Sequence, residues 1–442
     1  MSITLRTLTG DSLTGEITPA GDKSISHRTI ILGSLAEGTT RATGLLEGED
    51  VLRTIGAFRA MGAEIVRQGP GQYEITGQGV DGLKEPGDVL DMGNSGTAMR
   101  LLSGLLASQP FYSVLTGDHS LRSRPMGRVV TPLRKMGARI TGRDGGRLAP
   151  LTIEGGELVP ITYESPVASA QVKSCVLLAG LNTAGETTVI EPAPTRDHTE
   201  RMLTAFGAEV ERDGLKVTVD GWPELKAQSI EVPADISAAA FPMVAALITP
   251  GSDIIIRNVG MNPTRTGILA LLDLMGANIE RINERNAGGE PVADLHVRYS
   301  ELRGIDAPRE VAPAAIDEYP IFFVAAALAD GVTEARGIEE LRVKESDRIS
   351  AMAKGLTALG AEFTEYPDGA RIVGNPNGLK GGATVDSDTD HRIAMSLLVA
   401  GLRCAEPVTV TRCDNINTSF PGFATSMGAL GMRVEEVAEP QS

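Results

Sequence analysis

Apolar and polar positions recur along this chain in a phrase that appears six times. The copies are FRAMGAEI, LRKMGARI, LTAFGAEV, LDLMGANI, LTALGAEF and MGALGMRV, and the fifth residue of each is a glycine, at positions 62, 137, 207, 276, 360 and 431. In the first copy, Asp50 is placed as a helix N-cap and Gly62 as a left-handed C-terminal cap. Helical spacing connects the apolar residues Val51, Leu52, Ile55, Phe58 and Met61. Each copy therefore predicts a helix that ends on glycine and passes into a strand.

A second, more apolar helix is predicted before each copy, and it opens on polar residues. The openings are DKSISHR at 22–28, GNSGTAMR at 93–100, SAQVKS at 169–174, ADISAAA at 234–240, DEYP at 317–320 and TDHRIAM at 389–395. Most of these helices continue through a glycine-containing turn into a β-branched strand, as in AEGTTRAT. The pattern predicts an α/β fold in which a βαβαββ repeat is used six times.

One such repeat cannot bury its apolar face alone, so the repeats must pack against their neighbours. Three repeats per domain and two domains fit the six copies, with the boundary near Val232-Pro233. An open solenoid is the alternative arrangement. We favour closed domains because the first helix of each repeat is strongly apolar and needs burial on all sides.

The composition is that of a folded, acidic protein. Of its 442 residues, 42% are hydrophobic and 22% are charged, and the formal net charge of −16 argues against a partner with a phosphate backbone. Nine Phe, six Tyr and one Trp are too few for a base-stacking surface. The three cysteines form no CxxC pair, and neither a signal peptide nor an apolar stretch of about 20 residues is present. We expect a cytoplasmic protein without a nucleic acid or membrane partner.

Polar side chains at the helix openings are the first candidates for a binding site. A helix N-terminus presents unpaired N–H groups and a partial positive charge, so converging openings could bind an anion. Capping is the simpler interpretation for any single Ser, Thr or Asn. Cations near a helix start oppose the dipole, so Lys23, Arg28 and Arg392 indicate an anionic ligand. The candidates are Lys23, Ser24, Arg28, Asn94, Thr97, Ser169, Gln171 and Arg392.

Two further segments add cations. The stretch GDHSLRSRPMGR, residues 117–128, contains Arg122, Arg124 and Arg128. In LRVKESDRIS, residues 341–350, a helix beginning near Lys344 would place Lys344 and Arg348 on one face, with Glu345 beside Arg348. A solvated, salt-bridged turn is the alternative. The five histidines lack metal-ligand spacing, so no metal is expected, and Cys175 lies among apolar neighbours, which favours core packing.

Nine phrases connect the chain with a known family. In order, they are GDKSISHR, GNSGTAMR, LRSRPM, SAQVKS, TRDHTE, IDEYP, LRVKESDR, TDHRIAM and TSFPGF, and they span residues 21–423. The chain resembles the 5-enolpyruvylshikimate-3-phosphate synthases (3-phosphoshikimate 1-carboxyvinyltransferases), a family of enolpyruvyl transferases. The resemblance implies a two-domain inside-out α/β barrel with three βαβαββ repeats in each domain. It assigns residues 21–232 to the shikimate 3-phosphate-binding domain, and residues 1–20 plus 233–442 to a second domain that completes the phosphoenolpyruvate site across a hinge.

The resemblance also implies the reaction. The enolpyruvyl group of phosphoenolpyruvate passes to the 5-hydroxyl of shikimate 3-phosphate by addition–elimination, without a cofactor, in a monomer. Arginine suits the phosphate and carboxylate groups because its planar fork binds them bidentately. The matching residues for shikimate 3-phosphate are Lys23, Ser24, Arg28, Ser169, Ala170, Gln171, Arg196, Asp317 and Lys344. Those for phosphoenolpyruvate are Lys23, Asn94, Gly96, Thr97, Arg124, Gln171, Arg348 and Arg392.

Proton transfer is implied for Asp317, Glu345 and Lys23. A carboxylate surrounded by cations has a lowered pKa, which suits a base, whereas partial desolvation raises the pKa and suits an acid. We favour Asp317 as the proton acceptor and Glu345 as the proton donor, with Lys23 assisting. The opposite assignment of the two carboxylates stays open.

The chain departs from the family pattern at several positions. Thr418 stands where many members have Lys, Ala170 replaces a serine, and Glu340 stands where an Asn often binds phosphate. Such changes resemble a subgroup that tolerates glyphosate, an inhibitor that occupies the phosphoenolpyruvate site. However, Gly96 is retained where Ala would crowd that inhibitor, and Leu101 replaces a common Pro, so tolerance stays open.

Two alternative functions compete with that of the shikimate enzyme. The sister enzyme, UDP-N-acetylglucosamine enolpyruvyl transferase, typically carries a reactive loop cysteine, whereas this chain has Arg122 and Arg124 in that loop. A non-catalytic scaffold on the same repeat is the other alternative. Retention of the candidate catalytic residues argues against the scaffold.

Overall fold

The computed structural model describes residues 3–287 and 289–437 and has the mixed α/β fold that the repeats predict. The chain forms two compact units. The N-terminal unit contains Gly21–Val232 and Ala287–Glu290. The C-terminal unit contains Met1–Ala20, Pro233–Asn286 and Pro291–Ser442, so it combines the first stretch of the chain with its second half.

The strands are short and are spread along both units. In chain order they are β1 Leu5–Thr7, β2 Thr14–Ile17, β3 Gly38–Thr43, β4 Glu64–Gly69, β5 Gln72–Gly77, β6 Leu90–Asp91, β7 Tyr112–Thr116, β8 Arg139–Gly142, β9 Leu148–Glu154, β10 Thr162–Glu164, β11 Glu186–Ile190, β12 Val210–Asp213, β13 Lys216–Asp220, β14 Ser229–Glu231, β15 Asp253–Gly260, β16 Asn278–Ala287, β17 Glu290–Arg298, β18 Asp306–Ala307, β19 Val332–Arg336, β20 Glu362–Tyr366, β21 Gly369–Val373, β22 Leu379–Gly381, β23 Thr384–Asp386, β24 Cys404–Glu406, β25 Val408–Thr411 and β26 Val434–Glu436.

The helices alternate with these strands. They are α1 Lys23–Leu35, α2 Glu49–Ala60, α3 Gly96–Ala107, α4 Gly127–Lys135, α5 Arg143–Gly146, α6 Ala170–Gly180, α7 His198–Ala205, α8 Ile236–Ile248, α9 Gly267–Leu274, α10 Ala312–Ala315, α11 Tyr319–Ala327, α12 Arg348–Ala358, α13 His391–Ala400 and α14 Phe423–Ala429. Short 3-10 helices cover Leu121–Ser123, Arg309–Val311, Glu339–Val343, Gly401–Arg403 and Cys413–Thr418. The six predicted polar openings lie at the starts of α1, α3, α6, α8, α11 and α13, which confirms the helices expected there.

Three four-stranded sheets form within the described part of the N-terminal unit. Their strand orders are β14-β3-β5-β4, β6-β7-β9-β8 and β10-β11-β13-β12. In each sheet the first pair is parallel and the other two pairs are antiparallel. The three sheets therefore share one topology, although their sequences differ outside the glycine phrase.

The C-terminal unit contains three four-stranded sheets and one small pair among its described residues. The orders are β16-β17-β15-β2, β18-β19-β21-β20 and β23-β25-β1-β26, with β22-β24 as the pair. The first strands of the chain complete two of these sheets, because β2 pairs in parallel with β15 and β1 lies antiparallel between β25 and β26. Residues 5–17 are thus integral to the C-terminal unit.

The glycine of each recurring phrase ends a helix in the left-handed backbone region. The φ angles of Gly62, Gly137, Gly207, Gly276, Gly360 and Gly431 are +92°, +98°, +100°, +87°, +96° and +109°. A strand begins two or three residues after each of them. Side chains other than glycine rarely adopt this conformation, so the spacing of glycines in the sequence records the spacing of helix ends.

The core of each unit is built on the apolar helices. Every residue of α8 and of α11 is buried, so burial on all sides is confirmed for these helices. In the N-terminal unit α3 and α6 approach so closely that a Cβ on Gly104 would lie 2.0 Å from the carbonyl oxygen of Cys175. Cys175 is itself fully buried, as core packing predicts. Within residues 3–287 and 289–437, no helix has both the length and the hydropathy needed to cross a bilayer.

Three local expectations are wrong. Asp50 is not an N-cap, because α2 begins one residue before it and Gly48 takes the cap position. Arg28 is the sixth residue of α1 and therefore lies beyond the first turn. A helix does not begin near Lys344, because the Asp347 side chain accepts from the backbone N–H of Ser350 and starts α12 at Arg348. The capping hydrogen bond of Asp347 therefore sets the first residue of the helix, and the spacing of the charged residues before it does not.

Candidate active site

In the N-terminal unit, helix α1 presents two of the candidate cations. The Asp22 side chain accepts a hydrogen bond of 2.8 Å from the backbone N–H of Ile25, which fixes the start of the helix. Lys23 follows directly, and its Nζ lies 2.6 Å from Oδ2 of the buried Asp50. Asp50, expected as a cap, instead contributes a carboxylate that orients Lys23.

Arg28 is buried, and hydroxyl groups hold its guanidinium. Its Nε donates to Oγ1 of Thr199 at 2.6 Å, and Nη2 donates to Oγ of Ser174 at 2.8 Å. Nη1 donates to the backbone carbonyl of Ser24 at 3.0 Å. Burial, aided by the positive charge of Arg196, lowers the pKa of Arg28 to about 10, although nearby carboxylates oppose the shift. Two like charges near one another are expected where an anion is to be bound.

A second cluster of candidates lies at the start of α3. Nη2 of Arg124 donates to Oδ1 of Asn94 at 2.6 Å, and Nε2 of Gln171 donates to Oγ1 of Thr97 at 3.1 Å. Arg100, which sequence reasoning did not select, donates from Nη1 to Oε1 of Gln171 at 2.6 Å. The structure therefore brings Asn94, Thr97, Arg124 and Gln171 together.

Gly96 places no side chain beside two guanidinium groups of this cluster. A Cβ at this position would lie 3.0 Å from Nη1 of Arg100 and 3.4 Å from Nη1 of Arg124. Ser169 caps α6, since its Oγ accepts from the backbone N–H of Val172 at 3.4 Å, and Ala170 is the first residue of that helix. The helix starts thus expose backbone N–H groups beside cations, an arrangement suited to phosphate or carboxylate groups.

In the C-terminal unit, Arg348 organises the carboxylates. Its side chain is 1% exposed, and each of its three nitrogens contacts a different carboxylate. Nε is 2.8 Å from Oδ2 of Asp390, Nη1 is 3.1 Å from Oδ1 of Asp317, and Nη2 is 2.6 Å from Oε2 of Glu345. The two candidate proton-transfer groups are thereby held by one planar guanidinium.

Two further cations lie beside Asp317. Nζ of Lys344 is 3.5 Å from Oδ1 of Asp317, and Nη1 of Arg392 donates to the backbone carbonyl of Asp317 at 2.9 Å. The side chain of Asp317 is 14% exposed and that of Glu345 is 28% exposed, so both carboxylates are partly open to a ligand. The structure brings together all five C-terminal candidates, Asp317, Lys344, Glu345, Arg348 and Arg392.

The carboxylates determine the charge state of this cluster. Burial disfavours the ionised form of Asp390, but Arg348 and His391 outweigh it and hold the pKa of Asp390 below its ordinary value. Burial likewise disfavours charge on Arg348, and Asp390, Glu345 and Asp317 reverse that effect, so the pKa of Arg348 is raised. Asp390 is thus held ionised and Arg348 protonated at neutral pH.

Sequence reasoning missed the residues that hold the candidates in place. Ser174, Thr199 and Asp390 lie inside the phrases SAQVKS, TRDHTE and TDHRIAM, so their motifs were the available signal. Thr418 donates from Oγ1 to the backbone carbonyl of Asn415 at 2.7 Å, and Glu340 is exposed. No group of three or more His, Cys, Asp or Glu side chains is arranged for a metal ion within residues 3–287 and 289–437.

Solved structures of other proteins share the fold of this chain. A solved enolpyruvyl transferase, NikO from Streptomyces tendae, has the same fold, with a TM-score of 0.80 at 17% identity over 99% of this chain and 100% of its own. The EPSP synthase from Acinetobacter baumannii is more similar, with a TM-score of 0.90 at 49% identity over 99% of this chain and all of its own.

The sequence comparisons name the family. The family profile described as EPSP synthase (3-phosphoshikimate 1-carboxyvinyltransferase) matches residues 8–427. A 3-phosphoshikimate 1-carboxyvinyltransferase of Magnetococcus marinus is 74% identical over 98% of both chains. One of Halorhodospira halophila is 57% identical over 97% of this chain and 96% of its own. The chain belongs to the EPSP synthase family.

Proposed function

We propose that the protein transfers the enolpyruvyl group of phosphoenolpyruvate to the 5-hydroxyl of shikimate 3-phosphate. The products are 5-enolpyruvylshikimate 3-phosphate and inorganic phosphate, on the route to chorismate and the aromatic amino acids. The observation that carries the proposal is the convergence of Arg348, Lys344 and Arg392 on Asp317, in a chain that matches the family over nearly its full length. The reaction needs a base held among cations, and this cluster supplies one.

Binding of shikimate 3-phosphate is assigned to the N-terminal unit. Arg28 and Arg196 provide charge for the phosphate, and Lys23, Ser24 and the start of α6 from Ser169 provide further donors. Because hydroxyls hold Arg28, its positive charge is available to an anionic ligand. The proposal also assigns Asp317 and Lys344 to shikimate 3-phosphate, as the resemblance implies.

Phosphoenolpyruvate is assigned to the cations around Arg124 and Arg348. Lys23, Asn94, Gly96, Thr97, Arg124 and Gln171 lie in the N-terminal unit, and Arg348 and Arg392 lie in the C-terminal unit. Phosphoenolpyruvate carries both a phosphate and a carboxylate, and each is matched by a guanidinium fork. The positive charges of these side chains are concentrated locally, so the protein can bind an anionic substrate although its net charge is −16.

The proton transfers are assigned to the carboxylates on Arg348. Asp317 accepts the proton of the 5-hydroxyl, because Arg348 and Lys344 favour its ionised form. Glu345 donates a proton to the methylene carbon of phosphoenolpyruvate as the new C–O bond forms at C2. In the second stage, the methyl carbon of the tetrahedral intermediate returns a proton to the Glu345 carboxylate, the C–O bond to phosphate breaks, and the double bond returns. Lys23 assists by stabilising the departing phosphate.

We also infer the finer architecture and setting. The six four-stranded sheets of common topology support six βαβαββ repeats, three on each unit of an inside-out α/β barrel. The three free cysteines among the described residues are buried, which is consistent with a reducing cytoplasm. The proposal includes a monomer that acts on small molecules and not on nucleic acid.

Release of inorganic phosphate tests the proposed function. Purified protein is mixed with phosphoenolpyruvate alone, with shikimate 3-phosphate alone, with both, and with phosphoenolpyruvate plus UDP-N-acetylglucosamine. Phosphate release only when phosphoenolpyruvate and shikimate 3-phosphate are both present is the expected result. Release with UDP-N-acetylglucosamine in place of shikimate 3-phosphate would overturn the assignment in favour of the sister enzyme.

A further inference from the structure

Glu318 is a buried carboxylate whose role the proposed mechanism leaves unexplained. It directly follows Asp317, precedes α11 and is 1% exposed. Buried carboxylates are costly unless cations and hydrogen bonds compensate them. The contacts of Glu318 therefore indicate what its charge accomplishes.

On one side, Glu318 is anchored to the start of α8. The hydroxyl of Ser237 donates a short hydrogen bond to Oε1 of Glu318. The same hydroxyl accepts from Nη2 of Arg265 at 2.9 Å, and Nη2 also donates to Oδ1 of Asp235 at 3.0 Å. Because Arg265 supplies the proton that the Ser237 oxygen accepts, the single hydroxyl proton of Ser237 is committed to Glu318.

On the other side, Glu318 faces Arg392. Nη1 of Arg392 lies 3.5 Å from Oε1 of Glu318 and donates to the backbone carbonyl of Asp317 at 2.9 Å. The backbone N–H of Arg392 donates to Oδ1 of Asp390 at 2.9 Å, which fixes the start of α13. One terminal nitrogen of the guanidinium is therefore fixed by its neighbours, and this sets the direction of the remaining N–H groups.

A purely structural role would not require a charge at Glu318. Within the described residues, Oε2 of Glu318 has no hydrogen-bond partner, so the carboxylate is only half satisfied. A neutral amide could accept from Ser237 equally well at lower desolvation cost. The negative charge is of use to the side chain that it faces, Arg392.

We propose that Glu318 is a positioning residue, which together with Ser237 and Arg265 orients the Arg392 guanidinium towards an anionic substrate. The proposal rests on the proposed function, in which Arg392 binds phosphoenolpyruvate. Glu318 touches no substrate and moves no proton. It acts only through the position and the charge of Arg392.

The test is the variant Glu318→Gln, which keeps the side-chain length and removes the charge. Because a misdirected arginine weakens substrate and transition state alike, KM for phosphoenolpyruvate should rise on the order of tenfold while kcat changes less than about threefold. KM for shikimate 3-phosphate should stay within about twofold of the wild type. Calorimetric titration of phosphoenolpyruvate should show the same loss in affinity without any turnover.

Two further variants separate positioning from folding. Ser237→Ala removes the anchor without adding bulk and should raise the same KM by a smaller factor. Asp294→Asn is the matched control, because Asp294 is also a buried carboxylate of the C-terminal unit paired with an arginine, Arg257. The control should lower the unfolding midpoint and leave KM for phosphoenolpyruvate unchanged.

The outcomes distinguish this proposal from the proposed function. An unchanged KM and an unchanged calorimetric affinity for phosphoenolpyruvate in Glu318→Gln would overturn the positioning role, even if the wild type releases phosphate normally. Equal losses in kcat and in both KM values, matched by the Asp294→Asn control, would reduce Glu318 to a folding residue and also overturn it. A wild type that binds phosphoenolpyruvate but releases no phosphate would overturn the proposed function, while the calorimetric comparison would still decide the role of Glu318.

Discussion

Two buried arginines, one in each unit, are held in opposite ways. Arg28 of the N-terminal unit donates to the hydroxyls of Thr199 and Ser174 and to one backbone carbonyl. Arg348 of the C-terminal unit contacts a carboxylate with each of its three nitrogens. Burial accordingly lowers the pKa of Arg28 to about 10, whereas the carboxylates raise the pKa of Arg348.

From this difference we infer different roles for the two arginines. A guanidinium held by hydroxyls keeps its charge for a ligand, because neutral partners orient it without neutralising it. A guanidinium held by three carboxylates, as Arg348 is, fixes where those carboxylates lie, in addition to the contact with phosphoenolpyruvate proposed for it. We therefore expect loss of Arg28 to weaken substrate binding, and loss of Arg348 to disrupt both the fold and the chemistry.

The largest effect is expected for Arg348→Met. This change leaves Asp317, Glu345 and Asp390 crowded together without their shared cation, so the free energy of unfolding should fall by about 3–5 kcal/mol and phosphate release should be lost. Urea unfolding followed by circular dichroism measures the stability. The control is Arg336→Met, which removes a partly exposed ion pair of the same unit and should cost about 1 kcal/mol or less. Equal losses in the two variants would contradict a special role for the carboxylate cluster.

The second-largest effect is expected on turnover, from a change at a carboxylate of the C-terminal unit. Glu345→Gln keeps a hydrogen-bond acceptor for Arg348 but removes the proposed proton donor, so kcat should fall about 10²–10⁴-fold. The calorimetric affinity for shikimate 3-phosphate should change little. Glu339→Gln is an exposed control on the preceding segment and should be active. A matching loss of affinity and turnover would assign Glu345 to binding instead.

The third effect belongs to the N-terminal unit. Arg28→Met should weaken calorimetric binding of shikimate 3-phosphate at least about thirtyfold, because a charged contact to phosphate is lost. Stability should change by only about 1 kcal/mol, since Ser174 and Thr199 remain hydrogen-bonded to each other at 2.6 Å. Arg41→Met, on an exposed ion pair of the same unit, is the control. Strong destabilisation without loss of affinity would make Arg28 equivalent to Arg348 and remove the distinction.

The smallest expected effect is that the two units lose stability over different ranges of acidic pH. Burial lowers the pKa of His27, in the N-terminal unit, from 6.5 to about 3. Between these values the unfolded chain binds a proton that the folded chain does not, so stability falls as pH falls, by up to about 1.4 kcal/mol per pH unit. The pKa of Asp390 is lowered from 3.8, so the contribution of Asp390 to the stability of the C-terminal unit is lost only as pH falls below about 4.

Fluorescence of Trp222, the one tryptophan of the chain, measures how the stability of the N-terminal unit changes with pH. The urea midpoint of the wild type should fall between pH 7 and pH 5, and His27→Gln should reduce that fall. His119→Gln, at an exposed histidine of the same unit, should leave the fall unchanged. An equal fall in His27→Gln and the wild type would exclude His27 as its source.

Local chemistry explains which parts of the fold were predictable. A left-handed helix end strongly favours glycine, so six glycines sufficed to locate six helix–strand junctions. The start of α12 was misplaced because charge spacing is compatible with several starts, and the capping side chain of Asp347 decides between them. The role of Asp50 was missed because its partner Lys23 lies 27 positions away.

The site was predictable as a set of cations but not as a set of contacts. The polar helix openings and the two cation-bearing segments identified most of the candidates, and the family resemblance added Gly96, Ala170, Arg196 and Asp317. The partners of Arg28 could not be read locally, because Thr199 lies 171 residues and Ser174 146 residues away in sequence. Such pairings depend on packing of distant helices, which spacing along one helix does not encode.

The most direct test of the account follows both phosphorus-containing substrates through one reaction. Phosphorus NMR of the wild-type protein with shikimate 3-phosphate and phosphoenolpyruvate resolves each substrate and each product. Both substrate signals should decline together, while inorganic phosphate and one new phosphate monoester grow in equal amounts. Growth of inorganic phosphate at the expense of phosphoenolpyruvate alone, with shikimate 3-phosphate unchanged, would contradict enolpyruvyl transfer.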